Sequence, residues 1–197
     1  KELNEFFNKN RIVSVFSRLH PFFEIETNIF DGLGTVTPLG KVVYIDLSIT
    51  KEEQRKRFNR RLKTYLNKSR KSCTIIKGNV ENHLDFFIEL YTKNMQRVNA
   101  DENYFFEKEY FYNLLTNDFY EAELILCKLN DTNKIIAGAI FIKTGAIVQY
   151  HLSGLNEDYF SYNPIKLIID EMRMRYTDEG YKYLNLGGGK GSIEDSL

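Results

Sequence analysis

The sequence predicts an α+β fold, a mixed β-sheet flanked by helices, and three observations carry that prediction. From Ser72 onward the apolar residues alternate between a period of two and a period near 3.6, which yields the order β-α-α-β-β-β-α-β. A single helix beginning at Asn163-Pro164 connects the last two strands, and such a crossover places them parallel with a right-handed connection. The 197 residues are 43% hydrophobic and 27% charged, enough for one sizeable core or for one domain and part of another.

Taken in order, Arg11 to Phe16 (RIVSVF) is β-branched and partly alternating, an expected strand broken by Ser17-Arg18-Leu19-His20-Pro21. Asp31-Gly32-Leu33-Gly34 is turn chemistry, and Lys41 to Leu47 (KVVYIDL) is the next strand. Ser48 or Thr50, followed by Glu52 and Glu53, starts one basic helix over Lys51 to Lys71. Its apolar stripe is Phe58, Leu62, Tyr65 and Leu66; Lys56, Arg60 and Lys63 fall opposite that stripe and Arg55 close to it. Ser72 to Lys77 is a short strand ended by Gly78-Asn79. Leu84, Phe87, Ile88, Tyr91, Met95 and Val98 then recur at helical spacing, and a second helix from Glu107 to Thr116 carries Tyr110, Phe111, Leu114 and Leu115. Arg97 to Asp101 forms the polar corner between them. Ala122 to Leu129, Ile135 to Lys143 and Ala146 to Leu152 make an antiparallel meander with turns at Asp131 to Lys134 and Thr144-Gly145. Pro164 suits a first helical position, Ile165, Ile168, Ile169, Met172 and Tyr176 share one face, Gly180 closes the helix, and Lys182 to Leu186 is the final strand.

The charge is zero overall but uneven. Lys51 to Lys71 holds ten Lys or Arg against two Glu, a local +8 that leaves −8 for the remainder. That asymmetry suits a polyanionic or phosphorylated partner, and equally a basic helix face that is simply solvated. No apolar run approaches the roughly 18 to 20 residues of a membrane span. Cys73 and Cys127 lie far apart without a C-x-x-C spacing and read as reduced core residues of a cytosolic protein. His20, His83 and His151 make no metal-ligand spacing, so no metal is expected.

Chemistry is most concentrated in Tyr183 to Ser192 (YLNLGGGKGS), a short buried strand that runs into a glycine-rich turn. Glycine permits φ > 0 and close approach to the main chain, so Gly187, Gly188 and Gly189 could present N–H groups to an anion while Lys190 adds charge. The alternative is a connector after the last strand. The spacing matches neither G-x-x-x-x-G-K-[ST] nor G-x-G-x-x-G.

Five stretches carry a resemblance: FSRLHPFF (Phe16 to Phe23), VVYIDLS (Val42 to Ser48), LYTKNMQRVNADENYFF (Leu90 to Phe106), QYHLSG (Gln149 to Gly154) and YLNLGGGKGSIEDSL (Tyr183 to Leu197). Together with the element order they resemble the Fem-type branch of the GNAT (N-acetyltransferase) superfamily. This branch comprises the peptidoglycan interpeptide-bridge aminoacyltransferases and their FemAB-related, acetyltransferase-like relatives. The resemblance implies a GNAT-like mixed sheet and a cytoplasmic transferase that moves an acyl or aminoacyl group from an activated donor to an amine. The implied donor is aminoacyl-tRNA or acyl-CoA, with no further cofactor. The implied acceptor is a cell-wall precursor carrying a diphosphate, or another amine, and tRNA is an implied partner. Residues 1–71 are then expected to be a connecting segment at the end of an upstream GNAT-like half. Residues 72–197 are expected to be a C-terminal GNAT-like domain that stops short of the family's Phe-Lys segment.

By the same resemblance Arg97, in Met95-Gln96-Arg97, stands where the family places a phosphate contact, a role for which a guanidinium fork is apt. An ordinary helix-end cation is the competing reading. Tyr150 and His151 end the third meander strand, at the splayed centre of a GNAT sheet, where a hydroxyl or imidazole could hydrogen-bond a carbonyl or move a proton. Alternation sends the two to opposite faces, and Tyr150 is the preferred candidate over a core-packing role. Tyr104 is a further binding candidate within Asn103 to Phe106. With an activated donor, positioning and oxyanion stabilisation could supply most of the acceleration, and no Ser-His-Asp order suggests a covalent acyl-enzyme. No coenzyme A loop of a basic residue and spaced glycines stands between Ser153 and Asn163. The competing function is a non-catalytic GNAT-like module that binds a ligand or partner.

Overall fold

A computed structural model describes residues 2–23, 30–38 and 40–188. The chain divides into two compact units, one of residues 43–187 and one of residues 1–42 with 188–197. Residues 43–71, which the sequence groups with a connecting segment, lie in the same unit as residues 72–187.

The smaller unit opens with α1 (Glu2–Lys9), a helix with Glu2 and Glu5 in its first turn that the sequence reading did not anticipate. Arg11 takes a left-handed φ of 54° and donates its N–H to the carbonyl of Asn8, while Ile12 donates to that of Phe7, which ends the helix. Arg11 to Phe16 is therefore not a strand. Val13, Val15 and Phe16 are exposed and no ladder forms there, because a β-pattern needs a neighbouring strand to hold it. Asp31 to Gly34 does turn, with Gly32 at φ 77° and Leu33 donating to the carbonyl of Phe30.

The sheet has the order β1-β6-β5-β4-β3-β2, with β1 (Val42–Asp46), β2 (Cys73–Lys77), β3 (Glu121–Leu129), β4 (Ile135–Thr144), β5 (Ile147–Leu155) and β6 (Tyr183–Gly188). Strands β2 to β5 pair antiparallel in succession, and β5 pairs parallel with β6. That parallel pair is the expected consequence of α6 (Pro164–Asp178), whose crossover carries Pro164 at its start. Alternation along β3 divides the core: Ile125, Cys127 and Leu129 face the cluster containing Leu167, Ile168, Met172 and Tyr176 of α6. Leu124 and Leu126 face the cluster built by α4 (Val80–Arg97) and α5 (Lys108–Thr116) through Leu84, Phe87, Tyr91, Phe111 and Leu114. Cys73 and Cys127 are buried free thiols.

The basic segment is two helices rather than one, α2 (Lys51–Lys56) and α3 (Arg60–Ser72). Thr50 and Glu53 form a capping box on α2, and Asn59 caps α3 by accepting the Leu62 N–H at 2.8 Å. An asparagine whose side chain outcompetes the helix for a backbone donor restarts the helix where the apolar period alone reads straight through. Arg70 of α3 donates to Asp170 and Glu171 at 2.5 and 2.8 Å, and the Ser69 hydroxyl donates to the Tyr162 carbonyl at 2.5 Å. No helix among the described residues is long and apolar enough to cross a membrane.

Candidate active site

The parallel ladder between β5 and β6 is short. It pairs Ile147 with Tyr183, Val148 with Leu184 and Gln149 with Asn185, and then stops, although β5 continues to Leu155 and β6 to Gly188. Just beyond the last pair, the register of β5 on β4 jumps. Tyr150 lies opposite Phe141 and Leu152 opposite Ile140, so His151 is the extra residue of a β-bulge. A strand that parts from one neighbour and bulges against the other leaves main-chain groups at that point outside the regular ladder.

The side chains at this point are tied down. Asn185, nearly fully buried, donates through Nδ2 to Gln149 Oε1 at 2.6 Å and accepts the Gly187 N–H at 3.0 Å. Gln149 Nε2 in turn donates to the Tyr150 carbonyl at 2.9 Å. Side-chain amides thus replace the ladder at the place where the strands separate. Gly187 sits at φ 90°, a conformation that favours glycine. Its N–H is committed to Asn185, so it is not offered to an anion as the glycine-rich sequence suggests. Gly188 ends β6, while Gly189 and Lys190 lie outside the described residues.

Tyr150 packs against Phe141, ring centroids 5.7 Å apart, in the α6 cluster, and its hydroxyl donates to that of Ser153. Burial raises its pKa, so the phenol stays protonated. His151 instead meets α5, with Nε2 2.9 Å from the Tyr110 hydroxyl, and burial lowers its pKa, so the neutral imidazole dominates at neutral pH. The two candidates therefore engage different layers, as alternation leads one to expect.

Arg97 is the last residue of α4; its guanidinium donates to Asn94 Oδ1 at 2.9 Å and lies over the Phe160 ring at 5.1 Å, with the side chain exposed. Tyr104 closes a 3-10 turn at Glu102–Tyr104. Its carbonyl accepts the Tyr91 hydroxyl at 2.8 Å, leaving its ring half-exposed. Among the described residues neither makes a hydrogen bond, ion pair or ring contact with Tyr150 or His151. The sequence reading missed Tyr110, Gln149, Ser153 and Asn185 as site residues. Asn185 had a visible signal, a lone amide inside the apolar run Tyr183 to Leu186. Tyr110 had none, because forty-one residues of chain separate it from His151.

Residues 52–192, well over half of the chain, match the family model described as acetyltransferase (GNAT) domain. The chain belongs to that family. This GNAT domain is similar in fold to the crystal structure of FemX, with a TM-score of 0.66 and 15% identity over 79% of this chain and 55% of the other. It is also similar to L-PGS from Bacillus licheniformis, with a TM-score of 0.62 and 14% identity over 87% of this chain and 52% of the other. The chain thus spans about half the length of these solved structures, and at such identities the likeness is one of fold. No curated protein matches it. The mixed sheet flanked by helices is the GNAT architecture expected from the order of elements.

Proposed function

We propose that this GNAT domain is an N-acyltransferase that moves an acyl or aminoacyl group from an activated donor to an amine, with the reacting carbonyl seated where β5 and β6 part. The observation that carries this reading is the end of strand pairing at Gln149 and Asn185, directly beside the bulge at His151. The amine nitrogen attacks the carbonyl carbon, the donor's C–O or C–S bond breaks, and the proton shed by the amine leaves with the departing alkoxide or thiolate. A donor already activated as ester or thioester asks the protein mainly for positioning and for hydrogen-bond donors at the developing oxyanion. Hydrogen bonds flank the bulge, from the Gln149–Asn185 amides on one side and from Tyr110 on the other, which favours such positioning.

The finer reading is Fem-like: aminoacyl-tRNA or acyl-CoA as donor, no further cofactor, and a cell-wall precursor or other amine as acceptor in the cytoplasm. It is supported by the fold likeness to FemX and by the exposure of Arg97 and of the cations of α2 and α3, which on this reading meet phosphate and tRNA. The test presents the chain with acyl-CoA and with aminoacyl-tRNA, each with and without amine acceptors, and follows loss of the acyl group. Amine-dependent loss from one donor is expected, reduced on the order of 100-fold in His151→Ala, the scale for losing one oxyanion donor. A folded chain that consumes neither donor refutes the reading.

A further inference from the structure

We propose that Tyr110 is a positioning residue that holds neutral His151 as the tautomer protonated at Nδ1, so that the imidazole addresses the acyl carbonyl as a hydrogen-bond donor rather than as a base; this rests on the acyl-transfer reading above. The Tyr110 hydroxyl lies 2.9 Å from His151 Nε2 and makes no other hydrogen bond among the described residues. Two arrangements satisfy that distance: phenol O–H to imidazole nitrogen, or imidazole N–H to phenol oxygen. The first is stronger, because a phenol is the better acid and an sp² imidazole nitrogen the better base. It also uses the phenol's proton, which the second leaves without a partner in the protein. With Nε2 accepting, the single proton of a neutral imidazole must sit on Nδ1.

Tyr110 is built to hold that geometry. Its ring is stacked on Phe106, centroids 4.1 Å apart at 19°, and packed edge-on against Phe111 at 5.6 Å and 84°, so the hydroxyl is aimed by its ring contacts. Burial raises the phenol's pKa and keeps its proton in place. His151 is fixed in turn by the β-bulge. Its Nδ1 has no hydrogen-bond partner among the described residues and is not completely buried. That nitrogen is the one left to meet a substrate. A neutral imidazole that donates needs no proton delivered to it during the reaction, and proton removal from the amine falls to the leaving group.

The deciding measurement is the imidazole ¹⁵N spectrum of the full chain at neutral pH, for wild type and Tyr110→Phe, alongside kcat and KM with the donor that the wild type consumes. The expected result is an Nδ1-protonated His151 in wild type and loss of that preference in Tyr110→Phe. With it, kcat should drop about tenfold at nearly constant KM, the pattern of an interaction made in the transition state. An Nε2-protonated wild type, or a Tyr110→Phe variant that keeps the Nδ1 tautomer, overturns the assignment. Should Tyr110→Phe fail to fold by circular dichroism, the wild-type spectrum still decides, since an Nε2–H resonance there refutes it. A wild type that shows the Nδ1 tautomer yet consumes neither donor overturns the acyl-transfer reading, and with it the donor role of His151, while the Tyr110–His151 bond stands.

Discussion

Gly154→Ala should be among the most damaging single-methyl additions to this fold. Gly154 lies in β5, one residue beyond Ser153, where α4 crosses the sheet. A Cβ placed there would stand 2.5 Å from the Tyr91 nitrogen, 2.6 Å from the Leu90 carbonyl carbon and 2.8 Å from the Leu90 oxygen. Ordinary contacts to carbon lie near 3.5 to 4.0 Å, so the shortfall is about 1 Å. All three obstructing atoms are helix backbone, which cannot rotate aside, so α4 as a body must lift from the sheet. Overpacking of this kind costs about 1–3 kcal/mol, and a rigid obstacle puts Gly154→Ala at the upper end. For a chain of this size about 3 kcal/mol lowers the melting temperature by roughly 6–12 °C. Urea unfolding followed by circular dichroism, read from the midpoint at unchanged slope, gives the loss directly. The reference is Gly145→Ala in the β4–β5 turn, where φ is +55° and nothing lies within 4 Å of the added methyl. Its left-handed backbone alone should cost about 1 kcal/mol. A Gly154→Ala variant no less stable than Gly145→Ala would refute the close-approach argument.

Lys143→Met should destabilise the protein by about 1.5–3 kcal/mol, because it takes one of three cations from the buried Glu123 carboxylate and leaves Arg175 and Lys77 at 2.8 and 3.3 Å to compensate it only in part. Equilibrium unfolding measures this, and adding Glu123→Leu should recover part of the loss. Burial alone would raise the Glu123 carboxyl, but the Lys143 hydrogen bond and the charges of Lys143, Arg175 and Lys77 outweigh it and hold the carboxyl below its ordinary value. Its stabilisation is therefore full above that ordinary value and disappears as pH falls through the lowered one, so Lys143→Met should move acid unfolding to higher pH, and an unmoved midpoint would contradict this. Arg97→Ala should leave the melting temperature nearly unchanged, since the side chain is exposed, yet weaken a phosphate-bearing ligand by about 1.5–3 kcal/mol in calorimetric titration. A lower melting temperature with unchanged affinity would make Arg97 structural. Changing Lys56, Arg60 and Lys68, all exposed, to Gln should reduce the slope of log K against log[salt] for aminoacyl-tRNA by about 0.7–0.9 per lost contact; an identical slope removes tRNA from α2 and α3.

Much of this fold is legible in the sequence because period-two and period-3.6 patterns report which face of each element is buried. The meander, the α4 and α5 stripes, the Pro164 helix and the parallel return of the last strand all follow from such patterns and from the handedness of crossovers. Local competition defeats pattern reading elsewhere. Asn59 takes a backbone donor and splits the basic helix, which leaves Lys63 half-buried where continuous periodicity turns it outward. The sequence reading ends this strand at Leu152. The strand continues to Leu155 through its pairing with β4, and Gly154 there lies directly against the α4 backbone.

The class of fold, the order of elements from Ser72 onward and the strand that carries Tyr150 and His151 follow from the sequence, since each depends on residues near one another in the chain. Tertiary structure alone decided what those residues meet. The bulge at His151 arises from the register between β4 and β5, the Gln149–Asn185 lock from where two parallel strands separate, and the Tyr110 hydroxyl from the seating of α5 on the sheet. Hydrogen-bond partners distant in sequence are chosen by packing, and no local pattern encodes the distance between a helix face and a strand that closes forty-one residues later.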